Sequence, residues 1–236
     1  KANRPPLLSL PGILQCTTSN IPAPSGYLRA DSEKINEWQQ RIGRAQRPRI
    51  GLVWRGNPAH QNDRNRSMSL ETLLEVLPRE ADYFCLQNQI QSQDLQTIEK
   101  TIRVKSYAQD LKDFEDTAAL CQLMDLVISV DTSVAHLSAA LGKKTWTLIP
   151  YSPDWRWMLS GKDSPWYQTM NLYRQSVPGS WAQTLASLAQ DLSCELSIAS
   201  QSIEFVKNVQ WLLEQLHGLQ PICNGANIHA HAIEPV

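Results

Sequence analysis

VISVDTSVAHLSAALGKKTWTLIP, residues 127–150, reads as strand, polar hinge, helix and strand again within 24 positions. Apolar and β-branched residues run to Val130, the polar trio Asp131, Thr132 and Ser133 follows, and VAHLSAAL continues at helical spacing. Gly142 closes that helix, and TWTLIP reads as the next strand. A buried strand that turns through an acid and two hydroxyls into a helix places polar groups where ligands are held in parallel α/β sheets.

The same alternation extends to both sides. Short apolar runs at 49–54, 83–87, 102–107, 125–130, 145–150 and 170–175 read as strands. Helical patterns lie between them at 69–78, 92–100, 114–124 and 133–142, and a further one at 180–192 follows the last strand. Strands that are apolar on both faces belong to a parallel sheet covered by helices on each side. The expectation is a doubly wound, Rossmann-like α/β domain over 49–192 with right-handed crossovers. Residues 1–48 read as the tail of a preceding domain plus a linker, with one helical stretch at 31–43. Residues 193–236 read as a terminal amphipathic helix, 202–218, and a tail.

Composition narrows the class. Hydrophobic content of 42% and charged content of 19% are those of a globular chain able to bury a core. A formal charge of −1 gives no basic footprint for nucleic acid. No apolar run reaches the roughly 18 residues that span a bilayer. The cysteines at 16, 85, 121, 194 and 223 form no CxxC, and Cys85 and Cys121 sit in apolar segments. That usage fits a reducing, cytoplasmic setting. His217, His229 and His231 near the end read as a frayed terminus, and no metal site is expected.

Candidate chemistry gathers at the strand exits. Thr132 and Ser133 either cap the helix or give hydroxyls to a phosphate held at its N terminus. Asp131 suits a cap, a loop-orienting acceptor or a partner for His136, which lies in the first turn. The loop WRGNPAHQNDRNRSMSLE, 54–71, is longer than a connection needs. Gly56 permits close approach, and Arg64 and Arg66 suit a bidentate grip on a diphosphate. At 151–167, Asp154, Trp155, Arg156 and Trp157 offer a stacking face for a nucleoside or sugar, or simply packing anchors. Gln87 either reads a base edge or closes its strand.

Several long motifs, in order and with regular spacing, resemble a known family. SLPGILQ (9–15), GLVWRGNPAHQNDRNRSMSLE (51–71), DFEDTAALCQLMDLVISVDTSVAHLSAALGK (113–143) and PYSPDWRWMLSGKDSPWY (150–167) resemble glycosyltransferases fused to tetratricopeptide repeats. Those are similar to the heptosyltransferases of glycosyltransferase family 9, and the likeness runs from about residue 9 to 192. It implies the C-terminal half of a GT-B fold, in which two Rossmann-like domains face each other across a cleft. It implies an inverting, metal-independent transfer in which a nucleotide sugar is the donor substrate and no further cofactor is needed. By this likeness Asp131, Thr132, Ser133 and His136 match the donor-phosphate loop, together with Arg64 or Arg66. Gly56, Asn57, Gln87, Asp154 and Trp155 fall on the base and sugar side.

The likeness places the general base in an N-terminal Rossmann domain, so no catalytic residue is assigned here. KANRPPLLSLPGILQ looks like that domain's last strand and exit, and 202–218 suits a helix crossing back to it. The acceptor, whether protein, lipid or glycan, is left open. Two other readings stand beside transfer: a non-catalytic nucleotide-sugar-binding module, and a nucleotide-sugar epimerase on the same fold.

Overall fold

A computed structural model of the chain describes Pro6, residues 9–198 and residue 201. The helix expected at 202–218 and the three C-terminal histidines lie outside the described residues. One compact unit runs as far as Leu196.

Its centre is a six-stranded, all-parallel sheet of β1 (Arg49–Val53), β2 (Asp82–Cys85), β3 (Val104–Ser106), β4 (Leu126–Val130), β5 (Thr145–Ile149) and β6 (Met170–Arg174). The spatial order is β3-β2-β1-β4-β5-β6, that of the doubly wound dinucleotide-binding fold. Every strand proposed from the sequence is present; most are shortened at an end, and β2 starts one residue earlier, at Asp82. Short helices α1 (Leu10–Ile13) and α2 (Ser32–Ile42) precede the sheet. α3 (Asp63–Arg66), α4 (Leu70–Val76), α5 (Ser92–Thr101), α6 (Phe114–Gln122), α7 (Ser133–Ala140) and α8 (182–198) follow in chain order.

Alternation along the strands makes two cores. Ile50, Leu52, Ile128, Val130 and Leu148 face Leu70, Leu73 and Leu74 of α4 and Leu185, Leu188 and Leu192 of α8. Val53, Phe84 and Val127 face Trp38 of α2 and Ala119, Leu120 and Cys121 of α6. Full burial of one such aliphatic side chain is worth about 1.5–3 kcal/mol, so both strand faces stabilise the sheet. Gly51 is where the sheet leaves no room, since a Cβ there would meet Leu86 Cδ1 at 2.4 Å. Cys85 and Cys121 are the buried small residues their apolar surroundings suggest, and burial pushes both thiols up to about 12.

Two features before the sheet differ from the sequence reading. SLPGILQ, taken as a strand exit, is helical at Leu10–Ile13, where Pro11 suits the first turn because its missing N–H would have no partner. The helix within the supposed linker is packed against the sheet unit. Trp38 of α2 is 3% exposed and donates through Nε1 to Asp116 of α6 at 3.2 Å, and Lys34 reaches the same carboxylate at 3.0 Å. These partners lie far apart in sequence, so local pattern carries no trace of them.

Candidate functional site

In a doubly wound sheet the strand order reverses at one point, and neighbouring connections leave it on opposite faces. Here that point lies between β1 and β4, which pair directly. β1 exits through Trp54, Arg55 and Gly56 into the long loop, and β4 exits through Asp131 and Thr132 into α7.

Each exit is tied down by buried polar groups. Gln87 Oε1 accepts from the backbone N–H of Trp54 at 2.7 Å and of Arg55 at 3.0 Å, and its Nε2 donates to Gln89 O at 3.2 Å. The Oε1 end of this side chain thus clasps the β1 exit, and its Nε2 end bonds within its own loop. Asp94, 1% exposed, receives Trp54 Nε1, Arg55 Nε and the Leu70 N–H. Nothing in its local sequence sets it apart from an ordinary first-turn acid.

The loop after β1 returns Arg66 to the sheet. Its Nε pairs with Asp63 at 3.2 Å, and its Nη1 donates to the carbonyl of Asp131 at 2.7 Å. Gly56 lies directly behind the pair. A Cβ there would come to 2.5 Å from both Arg66 Nη2 and Asp63 Oδ1, so any larger residue must displace the pair. Arg64, two residues earlier, is exposed and lines a separate depression with Ser69 and Trp181. The fold thus separates two arginines that the sequence leaves equivalent.

Thr132 takes the N-cap position of α7 with extended backbone, but its side chain makes no cap bond. Its hydroxyl turns back to Ser129 Oγ at 3.0 Å, so the capping role open to it is not adopted. By contrast Asp31, Ser69 and Asp113 each cap their helices through the side chain. An uncapped first turn retains N–H groups and partial positive charge for an anion.

Two depressions meet at this helix end. A cleft of about 670 Å³ is lined by Arg66, Asp131, Thr132, Ser133, His136, Asp154 and Trp155, with Arg156, Trp166 and Tyr167 around them. A smaller one of about 390 Å³ holds Gly56, Asn57 and Gln87 and shares Thr132 and Ser133. The candidate residues singled out from the sequence therefore line one or the other, except Arg64 and the buried Trp157.

The aromatic loop forms the far wall. Asp154 caps the single turn Trp155–Trp157 by accepting from Arg156 N–H at 3.0 Å, and it also pairs with the Arg156 guanidinium at 2.8 Å. Trp155 is 66% exposed and meets Trp166 edge-on, whereas Trp157 is fully buried and stacks on His136 at 4.8 Å. Arg174, at the end of β6, holds the loop base by donating to the carbonyls of Trp157, Met158, Ser160 and Gly161.

His136 is bonded through Nδ1 to Tyr167 Oη at 3.0 Å, so its partner is a tyrosine and not Asp131. Burial lowers its pKa, Arg156 adds to that, and Asp131 and Asp154 oppose it. Tyr167 lies inside the aromatic stretch, but no local pattern distinguishes it from the packing aromatics beside it. Among the described residues no group of acids, histidines and cysteines is arranged to hold a metal, and no helix is long and apolar enough to cross a membrane.

With this geometry in place, comparisons with known proteins become informative. Protein FlbA of Caulobacter vibrioides is 26% identical over 187 residues, covering 76% of this chain but 31% of FlbA. The solved ADP-heptose LPS heptosyltransferase II of E. coli superposes with a TM-score of 0.52 at 15% identity, covering 78% of this chain and 56% of that one. The chain thus spans well under two thirds of either relative, and the second likeness is one of fold. Residues 95–177, which include β4, α7 and the aromatic loop, match the pattern of glycosyltransferase family 9 (heptosyltransferase). The β4 exit, α7 and the aromatic loop thus lie in a stretch similar to glycosyltransferase family 9 within a Rossmann-type α/β domain, while Gly56, Arg66 and Gln87 precede that stretch.

Proposed function

We propose that this chain binds the diphosphate of a nucleotide sugar and is the donor-binding part of an inverting, metal-independent GT-B glycosyltransferase. The observation that carries the reading is the junction of Arg66 with the uncapped N terminus of α7. Transfer is then a single displacement at the anomeric carbon, in which the departing nucleoside diphosphate takes up negative charge. Arg66 and the α7 amides are fixed in advance where that charge develops, which is the most effective form of electrostatic stabilisation. The exposed ring of Trp155 offers a stacking face for the base or sugar. In this reading the chain is the C-terminal half of a GT-B fold, and the general base and the acceptor site belong to an N-terminal Rossmann domain of a longer, cytoplasmic protein that also carries tetratricopeptide repeats.

A thermal-shift screen of the chain against UDP, GDP, ADP, CMP and their sugars tests the binding claim. A ligand at 100 times its Kd stabilises the fold by about 2.7 kcal/mol, an upward shift of several degrees. Absence of a shift with every nucleotide contradicts the reading. Product analysis on the longer polypeptide separates the alternatives: a new glycosidic bond for transfer, an altered free sugar for epimerisation, and neither for a binding module.

A further inference from the structure

His136 is held on two sides. Its ring face lies on Trp157 with planes 19° apart, and its Nδ1 is 3.0 Å from the hydroxyl of Tyr167. Because His136 lines the cleft, Nε2 is the nitrogen left for a ligand. Tyr167 is braced in turn by Tyr27, whose ring stacks on it with centroids 6.5 Å apart. Residues 26–28 are anchored at the far end of α7, where Leu28 N–H donates to Ala140 O at 2.9 Å and Gly26 lies against Gly142.

The positive end of α7 and Arg156 disfavour an imidazolium, while Asp131 and Asp154 favour it. Burial is the largest influence and keeps the ring neutral below the usual histidine range. Burial, and after it the hydrogen bond to Tyr27, hold the Tyr167 hydroxyl well above its ordinary value, so it keeps its proton, with His136 Nδ1 and the Tyr27 hydroxyl as the two partners within reach.

We propose that Tyr167 is a positioning residue whose hydroxyl donates to His136 Nδ1, which fixes the imidazole proton on Nε2 and gives the cleft a directed N–H donor beside α7. A neutral imidazole with one nitrogen occupied has a defined tautomer, as for histidines oriented by an outer partner. The function of that donor, to bond an oxygen of the departing diphosphate, rests on the site reading above; its tautomer does not.

The test combines two measurements on the whole chain. Two-bond 1H–15N NMR at neutral pH reads the His136 tautomer, and calorimetry reads the affinity for the tightest binder among UDP, GDP and ADP. Wild type is expected to carry the proton on Nε2. Tyr167→Phe, which keeps the ring, is expected to populate the Nδ1–H form and to weaken the nucleotide by about tenfold, the size of one hydrogen bond to a charged group. Tyr167→Phe placed on His136→Ala is expected to add no further loss, which a purely structural role of the hydroxyl would not predict. A wild-type proton on Nδ1, or a Tyr167→Phe variant with unchanged tautomer and affinity, overturns the proposal. If wild type binds none of the three nucleotides, the site reading fails, and the tautomer alone still decides the role of Tyr167.

Discussion

Arg66 Nη1 donates at 2.7 Å to the backbone carbonyl of Asp131, joining the loop after β1 to the strand that leads into α7 across the switch point of the sheet. The guanidinium is thereby aimed by its own structural bonds at the helix end. Arg66→Ala is expected to weaken nucleoside-diphosphate affinity by about ten- to hundredfold, from the loss of a charge-assisted hydrogen bond worth about 1.5–3 kcal/mol. Arg66→Lys should recover only part of the loss, because an ammonium cannot hold Asp63 and Asp131 O in one fork. Arg64→Ala, altered at an exposed position facing another depression, should bind like wild type by calorimetry.

Gly56 makes a complementary case. Gly56→Ala places a methyl group 2.5 Å from both members of the Arg66–Asp63 pair and must push them apart. Nucleotide affinity is expected to fall roughly as far as in Arg66→Ala. The size of the loss comes from the displaced cation. A Gly56→Ala protein that binds normally would show that the ion pair is not the gripping element.

Asp94 tests what holds the β1 exit. It is 1% exposed and accepts from Trp54, Arg55 and Leu70, so Asp94→Ala leaves three donors without their partner. Removing one member of a buried pair costs about 3–5 kcal/mol, and a loss of unfolding free energy of that size is expected from urea unfolding. A change under ~1 kcal/mol would mean that water replaces the carboxylate without difficulty.

Acid should act on two groups in separate windows. The folded-state value of His136 lies below 6.5, chiefly through burial. The unfolded chain therefore takes up that proton first, and stability falls as pH drops from 6.5 toward the folded value. Wild type should lose stability relative to His136→Gln over that window, and the two curves should run parallel above it. Burial raises the carboxyl of Asp116, but Lys34, the Lys112 N–H and Trp38 outweigh it and hold the group below 3.8. Its contribution is whole above pH 3.8 and is lost as pH falls through the folded value. Asp116→Asn should remove that second limb in urea unfolding followed against pH.

The strands and most helices were legible because each is set by local pattern. β4 is five consecutive buried residues, and Ser69 opens α4 with the cap its sequence offers. The place of the site at the strand exits followed from the sheet type alone. What the sequence left open depends on the third dimension. Arg64 and Arg66 are alike until a short helix turns one toward α7 and the other away. Gln87 Oε1 is taken by the exit of the neighbouring strand, and the Thr132 hydroxyl bonds to Ser129. α2 joins the core through Trp38 and Lys34 on Asp116, partners about eighty residues apart. Tyr167 becomes meaningful only once α7 sets His136 beside it.

The central claim is that a diphosphate sits between Arg66 and the first turn of α7. Amide NMR of the chain titrated with the nucleotide that gives the largest thermal shift reads this most directly. The largest perturbations are expected on residues 132–135, accompanied by the side-chain Nε signal of Arg66, and Arg66→Ala is expected to abolish them at the same ligand concentration. Saturable binding that leaves those amides unmoved, with perturbations centred on another part of the fold, would contradict it.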